Sequence, residues 1–523
     1  MKGSLELKSQ KIGFILGLLF FFVIIFLPTP EMFYGFASSA LGPDAAAKAA
    51  DVAEAAFSTK VVLATLILMI CWWATEAIPI PVTALMPGIL FPIFHVSGVS
   101  GGKLYSFDAK NIFLNYAHPV IFLFLGGFLI AAALHKWKLD RRLTLFILTR
   151  GTLANSSRLV ILGVMSVSAF LSMWISNTAT AAMFLPLGLG ILGLLGVEHG
   201  NSNMGKALML GIAWSASIGG IGTIIGTPPN GICVSILSAS GIARIDFIDW
   251  MKFGVPCVLV LIPIAWFLLI TVYPPEVRKV EGGKELLLKY KSELGPISKE
   301  EKIISGVFIL AVILWISNPF WKYILPVSLS SRLGWFDEYV IAIFAAILLF
   351  VIPSDWKNHQ FILDWKDSAE VDWGVLLLFG GGIALSDAMF RTGLANFIAT
   401  TFIGLAGTPS TLLLLILIVF MMDFMTEVTS NTAVVSMMVP IVISIAKTTG
   451  NDIVALSIGA TVAASLAFML PVATPPNAIV YSSGYLKIKD MIKAGFYLDI
   501  LGWVATLVVL YVFAYQIFGL IRL

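Results

Sequence analysis

Residues 176–186 read SNTATAAMFLP and residues 430–440 read SNTAVVSMMVP. One serine–asparagine–threonine triplet, with a proline at the same distance after it, is therefore written twice in apolar sequence. Each copy sits near the middle of a long apolar run, about 159–199 and 409–446, with room for two short helices. Other motifs repeat in the same order. HPVIFLFLGGFLIAAAL at 118–134 matches VDWGVLLLFGGGIALSDAM at 371–389, pairing Gly127 with Gly382. Pro228-Pro229-Asn230 likewise matches Pro475-Pro476-Asn477. The three offsets are 255, 254 and 247, a constancy that makes the chain two copies of one unit.

Composition supplies the solvent for that unit. Of 523 residues 59% are hydrophobic and 12% charged, and the mean hydropathy is +0.95. Soluble domains carry about a quarter charged residues, so this is an integral membrane protein. Its apolar runs have the length of spanning helices and do not alternate as barrel strands would. Spans are predicted at about 12–29, 60–78, 79–95, 117–135, 207–240 (broken), 255–273, 303–318, 338–353, 372–390, 453–484 (broken) and 496–520. The first run, Ile12 to Leu27, has no clean cleavage site after it and reads as a retained helix. If the two triplet-bearing segments are re-entrant hairpins, the fold is an all-α polytopic membrane protein of eleven transmembrane helices plus two hairpins. With the N-terminus cytoplasmic and the C-terminus external, the inner segments hold 22 of the 33 Lys and Arg, in keeping with the positive-inside rule. In that layout the first hairpin opens from the cytoplasm and the second from outside, so the repeats are inverted, an architecture of secondary transporters.

The repeated motifs also carry the chemistry. Gly226-Thr227-Pro228-Pro229-Asn230 and Ala473-Thr474-Pro475-Pro476-Asn477 each lie inside an apolar run. Two prolines in series remove two amide donors and turn the preceding residue away from helix. The helix must open there, and freed carbonyls in a membrane need protein or a wet cavity around them. Such carbonyls suit a hard cation, and helix N-termini suit an anion. Ser, Asn and Thr both donate and accept, so the triplets can serve both; one triplet alone would read as packing glue between helices. No Lys or Arg stands at either hairpin tip or either break. A dianion there needs bound cations to offset its burial. Na+ coupling is the simplest answer, with protons as the alternative if Asp423, Glu427 or Asp387 titrates. Cys71, Cys233 and Cys257 read as inert core thiols. The five histidines are scattered, and no nucleophile–base or metal spacing is visible, so nothing points to an enzyme.

CWWATEAIPIPVTALMP (71–87), the paired triplets and SLAFMLPVATPPNAIV (465–480) resemble the divalent anion:Na+ symporter family. The last stretch carries the family signature at Ser465, Phe468, Pro471, Ala473, Asn477, Ile479 and Val480. The likeness spans about residues 60–520 and leaves out the N-terminal 50 or so, including the Ala-rich GPDAAAKAADVAEAA loop. It implies a Na+-coupled symporter of a divalent anion, foremost a C4-dicarboxylate such as succinate, malate or fumarate. It further implies a homodimer in the plasma (cell inner) membrane, amid lipid, with an elevator-type transport domain moving against a scaffold. On that scheme residues 1–59 are an N-terminal helix and external loop, and 60–135 and 253–390 are scaffold with a cytoplasmic linker at 274–302. Residues 136–252 and 391–523 are the two transport halves. KWKLDRRL (136–143) and FRTGLANF (390–397) are the interfacial arms between them. A first Na+ would take Ser172, Ser176, Asn177 and the backbone of Gly226, and a second Thr426, Thr429, Asn431 and the backbone of Ala473. The anion would lie between Asn177, Thr178, Thr227 and Pro228 on one side and Asn431, Thr432, Thr474 and Pro475 on the other. Residue 227 varies within the family, which leaves open citrate or sulfate as the anion. An obligate dicarboxylate/2-oxoglutarate exchanger not driven by Na+ shares the fold, whereas a channel would need a selectivity-filter repeat that is absent.

Overall fold

A computed structural model describes residues 4–42, 48–149, 156–197, 200–278 and 282–522. Residues 43–47 of the Ala-rich stretch and 279–281 of the linker lie outside them. The chain opens with α1 (Ser4–Phe26), α2 (Glu31–Leu41) and α3 (Ala49–Thr75). The segment read from sequence as an external loop is therefore largely helix. Its alanines are strong helix formers, and α3 simply begins eleven residues before the expected span. α1 packs along α3 through Gly13 and Gly17, where any Cβ would overlap Thr75 or Trp72. This is the close small-residue approach that holds helices together in lipid. Lys60 of α3 then donates to the carbonyls of Ile25 and Leu27 at 3.0 and 2.9 Å, capping the end of α1.

The expected span at 79–95 is instead two short helices, α4 (Ile80–Thr83) and α5 (Met86–Ile93). Pro81, Pro87 and Pro92 explain the interruption, since each removes an amide donor. A two-stranded hairpin follows, β1 (Ser97–Ser100) with β2 (Lys103–Ser106), and then α6 (Ala109–Leu114). The first repeat proper runs through α7 (Pro119–Lys136), α8 (Leu139–Leu148), α9 (Ser157–Ser172), α10 (Asn177–Leu194), α11 (Asn203–Gly220), α12 (Pro228–Ala239) and α13 (Phe247–Val272). The polar linker holds α14 (Gly283–Glu293). Next come α15 (Lys299–Ser317), the short α16 (Trp321–Ile324) and α17 (Val327–Arg332), α18 (Glu338–Val351) and a second hairpin, β3 (Pro353–Asp355) with β4 (Gln360–Phe361). The two small hairpins are additions to the expected all-helical chain. The second repeat is α19 (Trp373–Arg391), α20 (Leu394–Ala406), α21 (Thr411–Thr426), α22 (Asn431–Thr449), α23 (Ile453–Ala463), α24 (Pro475–Tyr481) and α25 (Ile488–Val509).

Among the described residues nine helices are long and apolar enough to cross a membrane, by length and composition. α10 and α22 are two of them, while their partners α9 and α21 have 16 residues each. Within each arm, just before α8 and α20, the backbone turns left-handed, at Lys138 (φ 56°) and at Gly393 (φ 82°), again 255 residues apart. The arms are tied to their surroundings by different chemistry. On the first, the Arg142 guanidinium reaches Glu301 at 2.5 Å and the carbonyls of Gly295 and Leu294 at 2.9 Å each. On the second, Thr59 of α3 donates to the Thr392 carbonyl at 2.6 Å, and Arg391 lies over the Tyr105 ring.

Glu301 is buried and also accepts from the Ser298 amide at 2.6 Å, so Arg142 is its counter-charge. Arg142→Ala leaves a buried carboxylate unpaired and is expected to cost about 3–5 kcal/mol. Arg142→Lys should recover less than half of the loss, because an ammonium cannot fork across three acceptors. Thermal midpoints of the two variants in detergent check this ordering.

Candidate functional site

Each triplet stands at a helix start. The first hairpin, α9–α10, turns at residues 173–176, and Ser176 caps α10 by accepting the Ala179 amide at 3.2 Å. Across the tip, Ser172 Oγ lies 2.8 Å from Asn177 Oδ1 and 2.6 Å from the Ala216 carbonyl oxygen. The second hairpin, α21–α22, repeats the contact across the tip, although Ser430 makes no side-chain cap. Thr426 Oγ1 lies 2.6 Å from Asn431 Oδ1 and 2.7 Å from the Ala464 carbonyl. A hydroxyl has one hydrogen, so in each trio it satisfies only one of two acceptors. Two clusters of three oxygens, each with a single hydroxyl hydrogen among them, are thus built in matching places. That donor set fits a hard cation such as Na+.

The helix breaks are built from the sequence in the expected way. Thr227 and Thr474 are extended, with φ of −146° and −152°, and a Pro-Pro pair opens α12 and α24 behind them. The freed carbonyls go to the asparagine that ends each motif. Asn230 Nδ2 donates to Gly220 and Thr223 at 2.9 and 2.8 Å, and Asn477 Nδ2 to Ala467 and Leu470 at 3.0 Å each. In both repeats the acceptors stand ten and seven residues upstream. The Oδ1 atoms of Asn230 and Asn477 are both buried without a hydrogen-bond partner among the described residues.

The repeats differ most at the second break. By the repeat, α23 should run to about residue 467, yet it ends at Ala463. The amides of Phe468, Met469 and Leu470 turn instead to the Glu427 carboxylate, at 2.5, 2.8 and 3.0 Å. In the first repeat Met173 occupies the equivalent place, and its carbonyl accepts from the Thr223 hydroxyl.

The residues singled out from sequence fall into two groups. Ser172 meets Asn177, and Asn177 Nδ2 reaches Thr227 Oγ1 at 3.5 Å. Gly226 lies against Gly220, where an added Cβ would stand 2.5 Å from the Gly220 oxygen, and a Cβ on Gly220 would overlap Asn177. Thr426 meets Asn431. Thr429, by contrast, donates to the Trp73 carbonyl of α3 at 3.3 Å, so its side chain faces away from the cluster. Ser176 is used as a cap. Ala473 is buried and donates its amide to Leu470. Thr178 and Pro475 are exposed, Pro228, Asn431 and Thr432 half-buried, and Thr227 and Thr474 buried. The two halves interlock here. α10, which starts at Asn177, packs on α24, which starts at Pro475, and α22, which starts at Asn431, packs on α12, which starts at Pro228. Helices that start at the triplets of one repeat thus lie against helices that start at the breaks of the other, and no Lys or Arg stands at either tip or either break.

Sequence reasoning missed the carbonyls of Ala216 and Ala464. A backbone ligand leaves no side-chain signal, and only their separation of 248, within a residue of the TPPN offset, marks them. It also missed Asp499, which α25 brings beside Glu427. Gly226→Ala is expected to weaken the apparent Na+ affinity about tenfold by pushing the break away from Gly220. A Na+ titration of thermal stability reads this directly.

Residues 54–520 match the family model described as the sodium:sulfate symporter transmembrane region. A sodium-dependent dicarboxylate transporter, SdcS, of Staphylococcus saprophyticus is 36% identical over 472 residues, covering 88% of this chain and 87% of that one. The protein of the same name from Staphylococcus aureus is 37% identical over 459 residues, covering 86% and 85%. Among solved structures, the YdaH transporter of Alcanivorax borkumensis aligns with a TM-score of 0.53 at 13% identity, over 86% of this chain and 99% of that chain. At that identity the likeness concerns the fold alone.

Proposed function

The chain belongs to the sodium:sulfate, or divalent anion:Na+, symporter family, and from that premise we propose that it carries a C4-dicarboxylate such as succinate, malate or fumarate together with Na+. The observation that carries this reading is the pair of oxygen clusters, Ser172–Asn177–Ala216 and Thr426–Asn431–Ala464. Na+ bound in each would draw the hairpin tip, the neighbouring helix and the break together, and would place positive charge beside the helix N-termini. The dianion then binds between the tips, hydrogen-bonded by Asn177, Thr178 and Thr227 from one side and Asn431, Thr432 and Thr474 from the other, against Pro228 and Pro475. Ser176 and Thr429 act on the Na+ sites through the shape of the tips, and the Gly226 and Ala473 backbones through the breaks. Without Na+ the neutral site repels a dianion, which suppresses leak. Linkage makes the effect reciprocal, so the dianion tightens Na+ by the same factor.

The architecture supported by this reading has eleven spans and two re-entrant hairpins in inverted repeats, in a homodimer of the plasma membrane with a cytoplasmic N-terminus. The transport halves move as an elevator against the scaffold, pivoting where the backbone turns left-handed at Lys138 and Gly393. α13 packs on α9, α11 and α25, so we place it with the transport unit and move that boundary from 252 to about 272. Reconstituted protein should accumulate radiolabelled succinate in empty vesicles under an inward Na+ gradient. Uptake that requires internal dicarboxylate and ignores Na+ would establish the exchanger instead.

A further inference from the structure

Three carboxylates meet inside the second repeat, and the protein supplies donors for one of them. Asp423 and Glu427 stand one turn apart at the end of α21, and α25 packs alongside. Trp503 fixes the register of the two helices by donating to the Ile416 carbonyl at 3.1 Å. Gly495 lets the backbone of Phe468 and Met469 come within 2.6 Å of where a Cβ would be. Asp499, one turn further along α25, is thereby set against the Glu427 carboxyl and the Phe468 amide. Asp423, Glu427 and Asp499 are 0%, 2% and 1% exposed. Glu427 takes three amides and can keep its charge. Both oxygens of Asp423 lack a hydrogen-bond partner among the described residues, and Asp499 meets only the Glu427 carboxyl and the Phe468 amide that Glu427 already takes.

Among the described residues no basic side chain pairs with them. The carboxyls beside Asp499 are Glu427 and Asp423, and Glu427 also stands beside Asp423. α23 and residues 464–474 hold no titratable group. α13 contributes the buried thiol of Cys257 and, at its start, the mutually paired Asp249 and Lys252. On α22 the basic residue is Lys447, in the last turn. On α25, Lys489, Asp490 and Lys493 lie in the first two turns, with Asp490 paired to Lys206. Three bare carboxylates cannot share a dry site, because each unpaired charge costs several kcal/mol to bury. A metal ion is not favoured by the geometry, since no group of three such side chains among the described residues is placed to hold one. Protons remain.

We propose that Asp423 and Asp499 form a proton-binding site in the second transport half, holding protons beside an ionised Glu427 and making transport sensitive to proton concentration in addition to Na+. Stripping the protons puts further negative charge against Glu427, which then leaves the amides of Phe468, Met469 and Leu470 and loosens the break that precedes Thr474. Transport is lost on the alkaline side. Asparagine at 423 or 499 reproduces the neutral form and removes that loss.

Two measurements decide the matter. In proteoliposomes with equal pH on both sides, wild-type Na+-driven succinate uptake should fall about tenfold as the pH is raised from neutral into the alkaline range, where succinate stays a dianion. Asp423→Asn and Asp499→Asn should fall less than about twofold over the same range. A flat wild-type profile, or variants that fall as the wild type does, overturns the proposal. Infrared difference spectra of the purified protein in lipid need neither transport nor a known substrate, so they separate this inference from the assignment of the carried anion. A protonated-carboxyl C=O band should be present in wild type at about pH 7 and weaker in each variant. Its absence from wild type overturns the proposal even if a variant does not fold.

Discussion

Asn431→Ala is expected to lower Na+-driven uptake at least about 100-fold while leaving the protein folded, and Asn177→Ala to do the same. Each asparagine serves two ligands in the proposed cycle. Its Oδ1 belongs to an oxygen cluster with Ser172 or Thr426, and its amide faces the anion site, where Asn177 already reaches Thr227 at 3.5 Å. A hydrogen bond to a charged group contributes about 1.5–3 kcal/mol, so losing one to the cation and one to the dianion passes 100-fold. The fold should survive. Truncation leaves the Ser172 and Thr426 hydroxyls free to donate to the Ala216 and Ala464 carbonyls, which they already approach at 2.6 and 2.7 Å. Thermal stability without Na+ should therefore stay near wild type, while the stabilisation produced by Na+ disappears. Near-normal uptake by either variant would remove the asparagines from the site.

The parts of the site that were legible in the sequence share a cause: they are side chains fixed by a repeat. Ser172 and Thr426, Asn177 and Asn431, and the two TPPN motifs lie at matching offsets, and the hydroxyl–asparagine contact at the tip and the asparagine's grip on the break recur in both copies. What was illegible is backbone or comes from one copy alone. Ala216 and Ala464 act through carbonyls, so their side chains say nothing. Thr429 stands beside its triplet, and its hydroxyl goes to the Trp73 carbonyl of α3, which leaves only its backbone for the tip. The apolar run at 79–95 has the hydropathy of a span, and its three prolines break it into two short helices. Asp499 has no counterpart motif, and only the packing of α25 at Gly495 brings it to Glu427. Glu427 was visible as an intramembrane acid, and the sequence could not tell a proton relay from a cap.

The structure gives Glu427 the second large effect. Its two oxygens hold three consecutive amides at 2.5, 2.8 and 3.0 Å, and those amides would otherwise have bonded within a longer α23. Glu427→Ala strands three buried N–H groups at once. At about 1–3 kcal/mol for each unsatisfied donor, partly relieved by local rearrangement, the expected loss is about 3–6 kcal/mol. In a protein of this size that lowers the thermal midpoint by roughly 5–10 °C. Transport should vanish with it, because the 468–470 segment leads directly into Thr474 and Pro475. Glu427→Gln separates charge from hydrogen bonding. Its single carbonyl oxygen can still accept from Phe468 and Met469, whereas its NH2 group would face the Leu470 amide, donor against donor. About half of the lost stability should return in that variant. A wild-type midpoint in Glu427→Ala would mean that the three amides find other acceptors, and that the early end of α23 has a different cause.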